Sequence, residues 1–380
     1  MKFCQKVMLV LSSLAVCLFL AELTLPRFFG FDLAETGWTW LHLTTPSADP
    51  HLRYELTPSF SGMMRGVSYA ISSDGLRGEE RSVGPSNSIV VLGDSITFGL
   101  GLPLEAIYPS LLQQALDPTG RNVGIYNLGV NGYDTLQEVA LLKQRGLRHN
   151  PQLVIVGFCL NDIGIAGGGG QRLKEEISRL PRWLLRLNTP WFVIWRIHKF
   201  YARKEDAFLN SPEVFLSTYR DRIAPLNENE SELRDMMGTV SQEYPSVLYG
   251  DPARVGRMRF AFQELGHLAQ ENSFAVLVVI IPILSQGQSY PHDMSHRIVA
   301  YEAERAGLSF LDLKDDLLEF GLERLKLDDR DELHPNKDGH RLIARTLAAH
   351  LKSLLYSSSR KGNQPLPYYP VRNMSYTLAP

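Results

Sequence analysis

Five short apolar runs, at 88–93, 123–128, 153–158, 274–281 and 308–312, recur along the chain with helix-length stretches between most of them. The first three are apolar on both faces, the pattern of parallel strands covered on each side by helices. This alternation points to an α/β three-layer sandwich. Helices are expected at 105–116, 135–148, 253–271, 294–306 and 337–355, the last opening after Pro335 and stopping before a Ser-rich stretch. In such folds ligands meet the carboxyl ends of the strands, so the residues just beyond each run are the place to look for chemistry.

Four blocks stand out. Gly93-Asp94-Ser95-Ile96 leaves the first run, Asn127 to Gly132 the second and Asn161-Asp162 the third, while Asp331-Glu332-Leu333-His334 comes near the end. Ser95 is expected on a tight turn with its hydroxyl exposed. A serine hydroxyl is a weak nucleophile at neutral pH until a base takes its proton. His334 is the candidate base, and Asp331, three residues earlier, can fold back to accept its Nδ1 proton and leave Nε2 facing Ser95. Attack on an ester carbonyl places negative charge on its oxygen, which needs donors. Three are at hand: the Ser95 backbone N–H at a helix start, the Gly132 N–H, open to close approach for want of a Cβ, and the Asn161 side-chain amide. Gly129 is the fallback for Gly132.

Each block also has a plainer use. Asp94 and Ser95 could cap a helix, the glycines could serve turns, Asp162 reads as structural, and the acidic run Asp328-Asp329-Arg330-Asp331 is by default a solvated loop. Asp328 and Asp329 are poorer partners for His334. His340 is expected on a helix face, and His149, His267, His292 and His296 have no partners at telling spacings, so they read as structural. Cys159 reads as a small buried thiol.

Taken together the blocks resemble those of the SGNH (GDSL-type) hydrolase family over roughly residues 86 to 355. Ser95 in GDSITFG matches the family nucleophile, Gly132 in NLGVNGYDT its glycine, Asn161 in GFCLND its asparagine, and Asp331 with His334 in DELHPN its acid and base. The resemblance implies a flavodoxin-like sandwich around a parallel five-stranded sheet, and esterase, lipase, thioesterase or carbohydrate O-acetylesterase activity. No cofactor and no metal are expected, since no metal-ligand pattern such as His-Glu-x-x-His competes.

Residues 1–30 read as a membrane anchor or signal segment. Lys2 and Lys6 precede Val7 to Leu25, an apolar stretch long enough nearly to span a hydrocarbon core of about 30 Å, with Glu22 its one charge. A cleaved signal peptide is the rival, but Phe19 stands where a cut after Ala21 wants a small residue. A cut after Cys17 would leave a short apolar core, and Val16 weakens a lipoprotein reading. The expectation is an uncleaved anchor with the N-terminus inside and the remainder in a periplasm, cell exterior or lumen.

Residues 31–85 are expected to form a connector packed on the catalytic domain, with a strand around Val67 to Ile71 before the turn Ser72-Ser73-Asp74-Gly75. An insertion spans about 163–252. It opens on Gly167 to Gly170, and its segment Leu180 to Tyr201 mixes aromatics with arginines, which suits packing on the domain, an interfacial helix or a lid. Pro190 should interrupt any single long helix there. Residues 356–380 read as a flexible tail. With 39 basic and 41 acidic side chains there is no charge footprint for nucleic acid, and three cysteines give no disulfide framework. The expectation is a membrane-anchored serine esterase, its preferred substrate an O-acetylated envelope or extracellular polysaccharide. The alternatives are hydrolysis of a lysophospholipid or other acyl-lipid, acyl transfer to a sugar, and a non-catalytic envelope binding protein.

Overall fold

The computed structural model describes residues 2–80, 87–164, 171–209, 211–227, 229–285 and 290–359. The Gly167 to Gly170 run and residues 360–380 of the expected tail lie outside them. The chain opens with one long helix, α1 (Lys2–Phe29), followed by α2 (Leu33–His42). Sequence reading had no helix at α2, although its start signal is present: Asp32 caps it by accepting the Glu35 N–H at 2.8 Å. Two antiparallel hairpin pairs follow, β1 (Thr44–Pro46) with β2 (Tyr54–Leu56) and β3 (Ser61–Met64) with β4 (Val67–Ala70). Leu52, Tyr54, Leu56 and Tyr69 bury their side chains in the main core.

The sandwich begins with β5 (Asn87–Gly93), the single turn α3 (Ser95–Phe98), α4 (Tyr108–Leu116), β6 (Val123–Asn127), α5 (Thr135–Leu141) and β7 (Pro151–Cys159). The helix expected over 135–148 changes winding after α5, to a wider turn at Leu142–Gly146 and a tighter one at Leu147–His149. This stretch carries Arg145, which donates to Glu55 Oε2 at 2.9 Å and the Asp74 carbonyl at 2.6 Å, fastening the connector to the sandwich.

Between the third and fourth strands lie α6 (Gln171–Ser178), α7 (Asn188–Leu209), α8 (Pro212–Tyr219) and α9 (Ser231–Gly238). Pro190 falls in the first turn of α7, where a missing N–H costs nothing, so it starts a helix of 22 residues rather than breaking one. The sandwich then resumes with α10 (Pro252–Asn272), β8 (Ala275–Ile281), α11 (Asp293–Arg305), β9 (Ser309–Asp312), α12 (Lys314–Phe320) and α13 (Lys337–Ser359).

The five strands β5 to β9 form one sheet in the order β6-β5-β7-β8-β9, parallel throughout. This is the flavodoxin-like 2-1-3-4-5 order, whose switch point lies between the first and third strands, here β5 and β7. Val90, Val91, Leu92, Val154, Ile155 and Val156 are shut off from solvent by helices on both faces. A second, smaller apolar cluster lies apart, built from Leu33, Ala34, Leu41, Ile177, Leu185 and Trp191. Gly37 lets α2 approach α7 there: a Cβ on it would stand 2.1 Å from the Trp191 ring.

Candidate active site

The switch point is where the sequence blocks meet. β5 ends at Gly93, whose φ of +153° and whose virtual Cβ, 2.0 Å from Thr97 Oγ1, both exclude a side chain. The chain turns there, and Asp94 caps α3 by accepting the Ile96 N–H at 2.8 Å. Both plain and chemical readings of this block hold at once, since Asp94 is the cap and Ser95 is left half-exposed beside it. Burial raises the Asp94 carboxyl above its ordinary value, against the lowering effect of the Ile96 hydrogen bond.

Ser95, His334 and Asp331 come together. Ser95 Oγ lies 2.8 Å from His334 Nε2, and His334 Nδ1 lies 2.7 Å from Asp331 Oδ2. The hydroxyl is also 3.2 Å from Asp94 Oδ2, a longer and weaker alternative. Asp331 folds back as the three-residue spacing predicts, its Oδ1 accepting the Leu333 and His334 N–H groups at 3.0 Å each. Burial pushes its carboxyl up, but the His334 hydrogen bond and charge outweigh that and hold it below the ordinary range.

The loop is braced from two sides. The Leu284 N–H beyond β8 donates to the Glu332 carbonyl at 2.7 Å, and Asn336 Nδ2 donates to the Arg324 and Lys326 carbonyls at 2.7 and 3.1 Å. Asn336 was missed in sequence reading, although it is the last letter of DELHPN.

The loops carrying Gly132 and Asn161 leave the carboxyl ends of β6 and β7, the strands on either side of β5. The loop leaving β6 runs beside β5, with the Leu128 N–H on the Val91 carbonyl at 2.8 Å and the Val130 N–H on the Gly93 carbonyl at 3.1 Å. Asn127 ties the first two blocks together, donating to the Thr97 carbonyl at 2.9 Å and accepting the Gly129 N–H at 2.8 Å. That bond occupies the Gly129 N–H, so Gly129 drops out as a fallback donor. Its missing side chain serves packing, for a Cβ would fall 2.3 Å from Phe98 N.

Gly132 has φ +75°, and its N–H, like Asn161 Nδ2, has no acceptor among the described residues. Tyr54 OH on the connector donates to the Asn131 carbonyl at 2.6 Å, fixing the loop that carries Gly132. Because α3 is a single turn, the helix dipole expected behind the Ser95 N–H is small.

A match to the GDSL-like lipase/acylhydrolase family model covers residues 91–342. The chain belongs to this family. An arylesterase from Vibrio mimicus is 34% identical over 95 residues, which are 25% of this chain and 47% of that protein, so the chain spans about half the length of this curated relative. Among solved structures, the psychrotrophic esterase EstA from Pseudoalteromonas sp. is 15% identical with a TM-score of 0.39, covering 71% of this chain and 99% of that one. The acetylxylan esterase Axe2 from Geobacillus stearothermophilus is 14% identical with a TM-score of 0.39, covering 71% and 96%.

Beneath the site the GDSL-like sandwich holds two buried acids, Asp162 and Glu138, of which sequence reading passed over Glu138. Asp162 Oδ2 accepts the Cys159 N–H at 2.7 Å, a structural role as expected, while its Oδ1 and both oxygens of the fully buried Glu138 have no hydrogen-bond partner among the described residues. Burial first, then the charges of Asp94 and Asp134, push the Glu138 carboxyl well up. Glu138 sits on the inner face of α5, so an acidic residue at a helix position otherwise read as apolar was its one signal.

Four of the other histidines are held by hydrogen bonds or ring stacking away from the triad. His340 is buried and accepts the Tyr108 N–H at 3.0 Å, its pKa lowered by burial to about 3. His292 and His296 do have partners: Ser246 Oγ at 2.7 Å for the first, Asp312 Oδ1 and Tyr290 OH at 2.9 Å for the second. His149 stacks on Tyr126. Among the described residues no group of His, Cys, Asp and Glu is arranged to hold a metal.

Proposed function

We propose that this GDSL-like protein is a membrane-anchored serine esterase, and the observation that carries the reading is the unbroken chain from Ser95 Oγ through His334 to Asp331. In this reading Ser95 attacks the ester carbonyl as His334 Nε2 takes its proton. The acyl–oxygen bond breaks, the alcohol leaves with the proton His334 returns, and water activated by the same imidazole releases the acid. Asp331 holds the tautomer and balances the imidazolium charge. The Ser95 and Gly132 N–H groups and Asn161 Nδ2 receive the carbonyl oxygen as it turns negative.

The anchor is α1. Residues Phe3–Phe29 form a helix long and apolar enough to cross a membrane, with none of its best window buried. Its last turns are built into the protein, for Glu22 bonds to the start of α7, which supports retention over cleavage. We take residues 1–30 as anchor, 31–85 as connector and 86–355 as the hydrolase domain with its insertion at 163–252, the domain facing away from the cytoplasm. That placement favours an O-acetylated carbohydrate of the envelope as substrate.

A fluorophosphonate probe on the full-length protein, with Ser95→Ala and His334→Ala beside it, tests the chemistry. Labelling that maps to Ser95 and vanishes in both variants supports it; an unlabelled but folded protein overturns it. Turnover of acetyl esters and not long-chain ones supports the carbohydrate assignment, and the reverse preference replaces it with an acyl-lipid.

A further inference from the structure

The outer face of the first part of α7, from Phe192 to Ile197, is largely apolar where a solvent-facing helix is ordinarily polar. Trp191, Ile194 and Trp195, spaced three and four apart, form its inner stripe against the small cluster. On the opposite side Phe192, Val193 and Ile197 are exposed, Val193 by 50%, with Arg196 as the one charge among them. Just before the helix, Trp183 is 67% exposed and Leu187 is exposed too.

The start of α7 is held against the anchor. Glu22 Oε1 accepts the Asn188 N–H at 2.6 Å and Asn188 Nδ2 at 2.9 Å, while Oε2 accepts the Thr189 N–H at 2.9 Å and its hydroxyl at 3.0 Å. Asn188 Oδ1 in turn accepts the Leu33 and Ala34 N–H groups of α2 at 2.7 and 3.1 Å. Phe29 of the anchor touches Phe192, with ring centroids 6.2 Å apart.

Depth follows from length. At about 1.5 Å per residue the 27-residue helix Phe3–Phe29 runs to about 40 Å, against a hydrocarbon core of about 30 Å. Counting from Lys6, the core ends near Pro26, so Glu22 lies roughly 6 Å inside the outer boundary. A carboxylate at that depth is costly unless paired, and four donors pair it. Since those donors are the first residues of α7, that helix cannot stand clear of the membrane.

The geometry points to a second membrane contact: the outer face of α7 from Phe192 to Ile197, with Trp183 and Leu187 before it, lies in the bilayer interface and sets the hydrolase domain at a fixed height and rotation. The occupant is lipid, because the patch is continuous with the helix that enters the bilayer and combines aromatics with Arg196, the composition of an interfacial belt. This inference rests on the reading of α1 as a retained anchor.

Site-directed spin labelling in phosphatidylcholine nanodiscs holding one copy each tests both separately. Labels go singly on native Cys17 (in Cys4→Ser) and, in a Cys4→Ser, Cys17→Ser background, on Phe192→Cys, Val193→Cys or exposed Glu271→Cys; Cys159 is fully buried and stays. Collision with oxygen should exceed collision with a water-soluble nickel chelate at residues 17, 192 and 193, severalfold more than at 271. Water-like values at 17 overturn the anchor. Lipid-like values at 17 with water-like ones at 192 and 193 overturn the docking alone, and low collision with both reagents there also overturns it, by showing protein cover.

Discussion

The carboxyl ends of β5, β6 and β7 and the junction at the foot of α1 are both places where polar side chains meet among apolar ones, and they meet in opposite ways. At the strand ends, each group is placed by its own strand and turn, and several polar atoms have no partner among the described residues: the Gly132 N–H, Asn161 Nδ2 and, below them, the Glu138 carboxyl oxygens. At the junction, segments 155 and 166 residues apart are tied by Asn188 and Glu22, and every carboxylate oxygen is engaged. Unsatisfied groups are what a reacting carbonyl needs; satisfied ones are what a hinge-free mount needs. One region is built to act, the other to hold still.

If that division is right, variants should separate rate from attachment. Ser95→Ala should lose at least about 10³-fold in kcat on a small acetyl ester with its melting temperature unchanged; a matching loss of stability would erase the distinction. Asp331→Asn should reduce kcat by about 10²- to 10⁴-fold with little change in KM, measured on the same ester.

Asn188→Ala should do the converse. Losing its side-chain bonds to Glu22, Leu33 and Ala34 should weaken the small cluster by about 2–3 kcal/mol. Hydrogen exchange should speed up in α2 and α7 and leave the sheet amides and kcat as they were.

Acidity sharpens the contrast further, because each region buries a titratable group of opposite kind. Burial pushes the Glu138 carboxyl well above the roughly 4.3 of the unfolded chain, so its effect on stability turns unfavourable as pH rises from there. Glu138→Gln should raise the melting temperature, more at pH 8 than at pH 5.

Lys174 in α6 is buried under Trp40 with its ammonium on Thr44 Oγ1 at 2.7 Å, and burial lowers its pKa to about 7. The unfolded lysine holds its proton to about pH 10.4, so the small cluster should gain stability between pH 7 and 10 and none below 7. Lys174→Met should flatten that slope, read from local exchange free energies, the smallest of these effects.

Legibility follows the same line. All five core strands, and the meeting of Ser95, Asp331 and His334, could be read from the sequence because each rests on local grammar: an apolar run, a glycine turn, a three-residue fold-back. The Gly129 N–H could not be ruled out as a donor, because its capture by Asn127 Oδ1 depends on how that side chain turns. Helix α2 was passed over although Asp32 and Glu35 stand at cap spacing, since Gly37 in its middle argues against a helix until Trp191 is seen to need the space. Partners such as Ser246 for His292 or Glu22 for Asn188 arise only from tertiary packing, and no periodicity reports them.

The spacing of the reacting groups has a consequence for biosynthesis. Ser95 and its base are 239 residues apart, and the loop bearing His334 is held by Leu284 and followed by α13, which packs on α4. On the proposed topology the chain is threaded through a translocation channel as it is made, and the serine emerges long before anything that can take its proton. On the assignment made here, the nascent polypeptide passes the lipids and glycans around it as an inert thread, and reactivity is switched on only when nearly the last helix has been delivered.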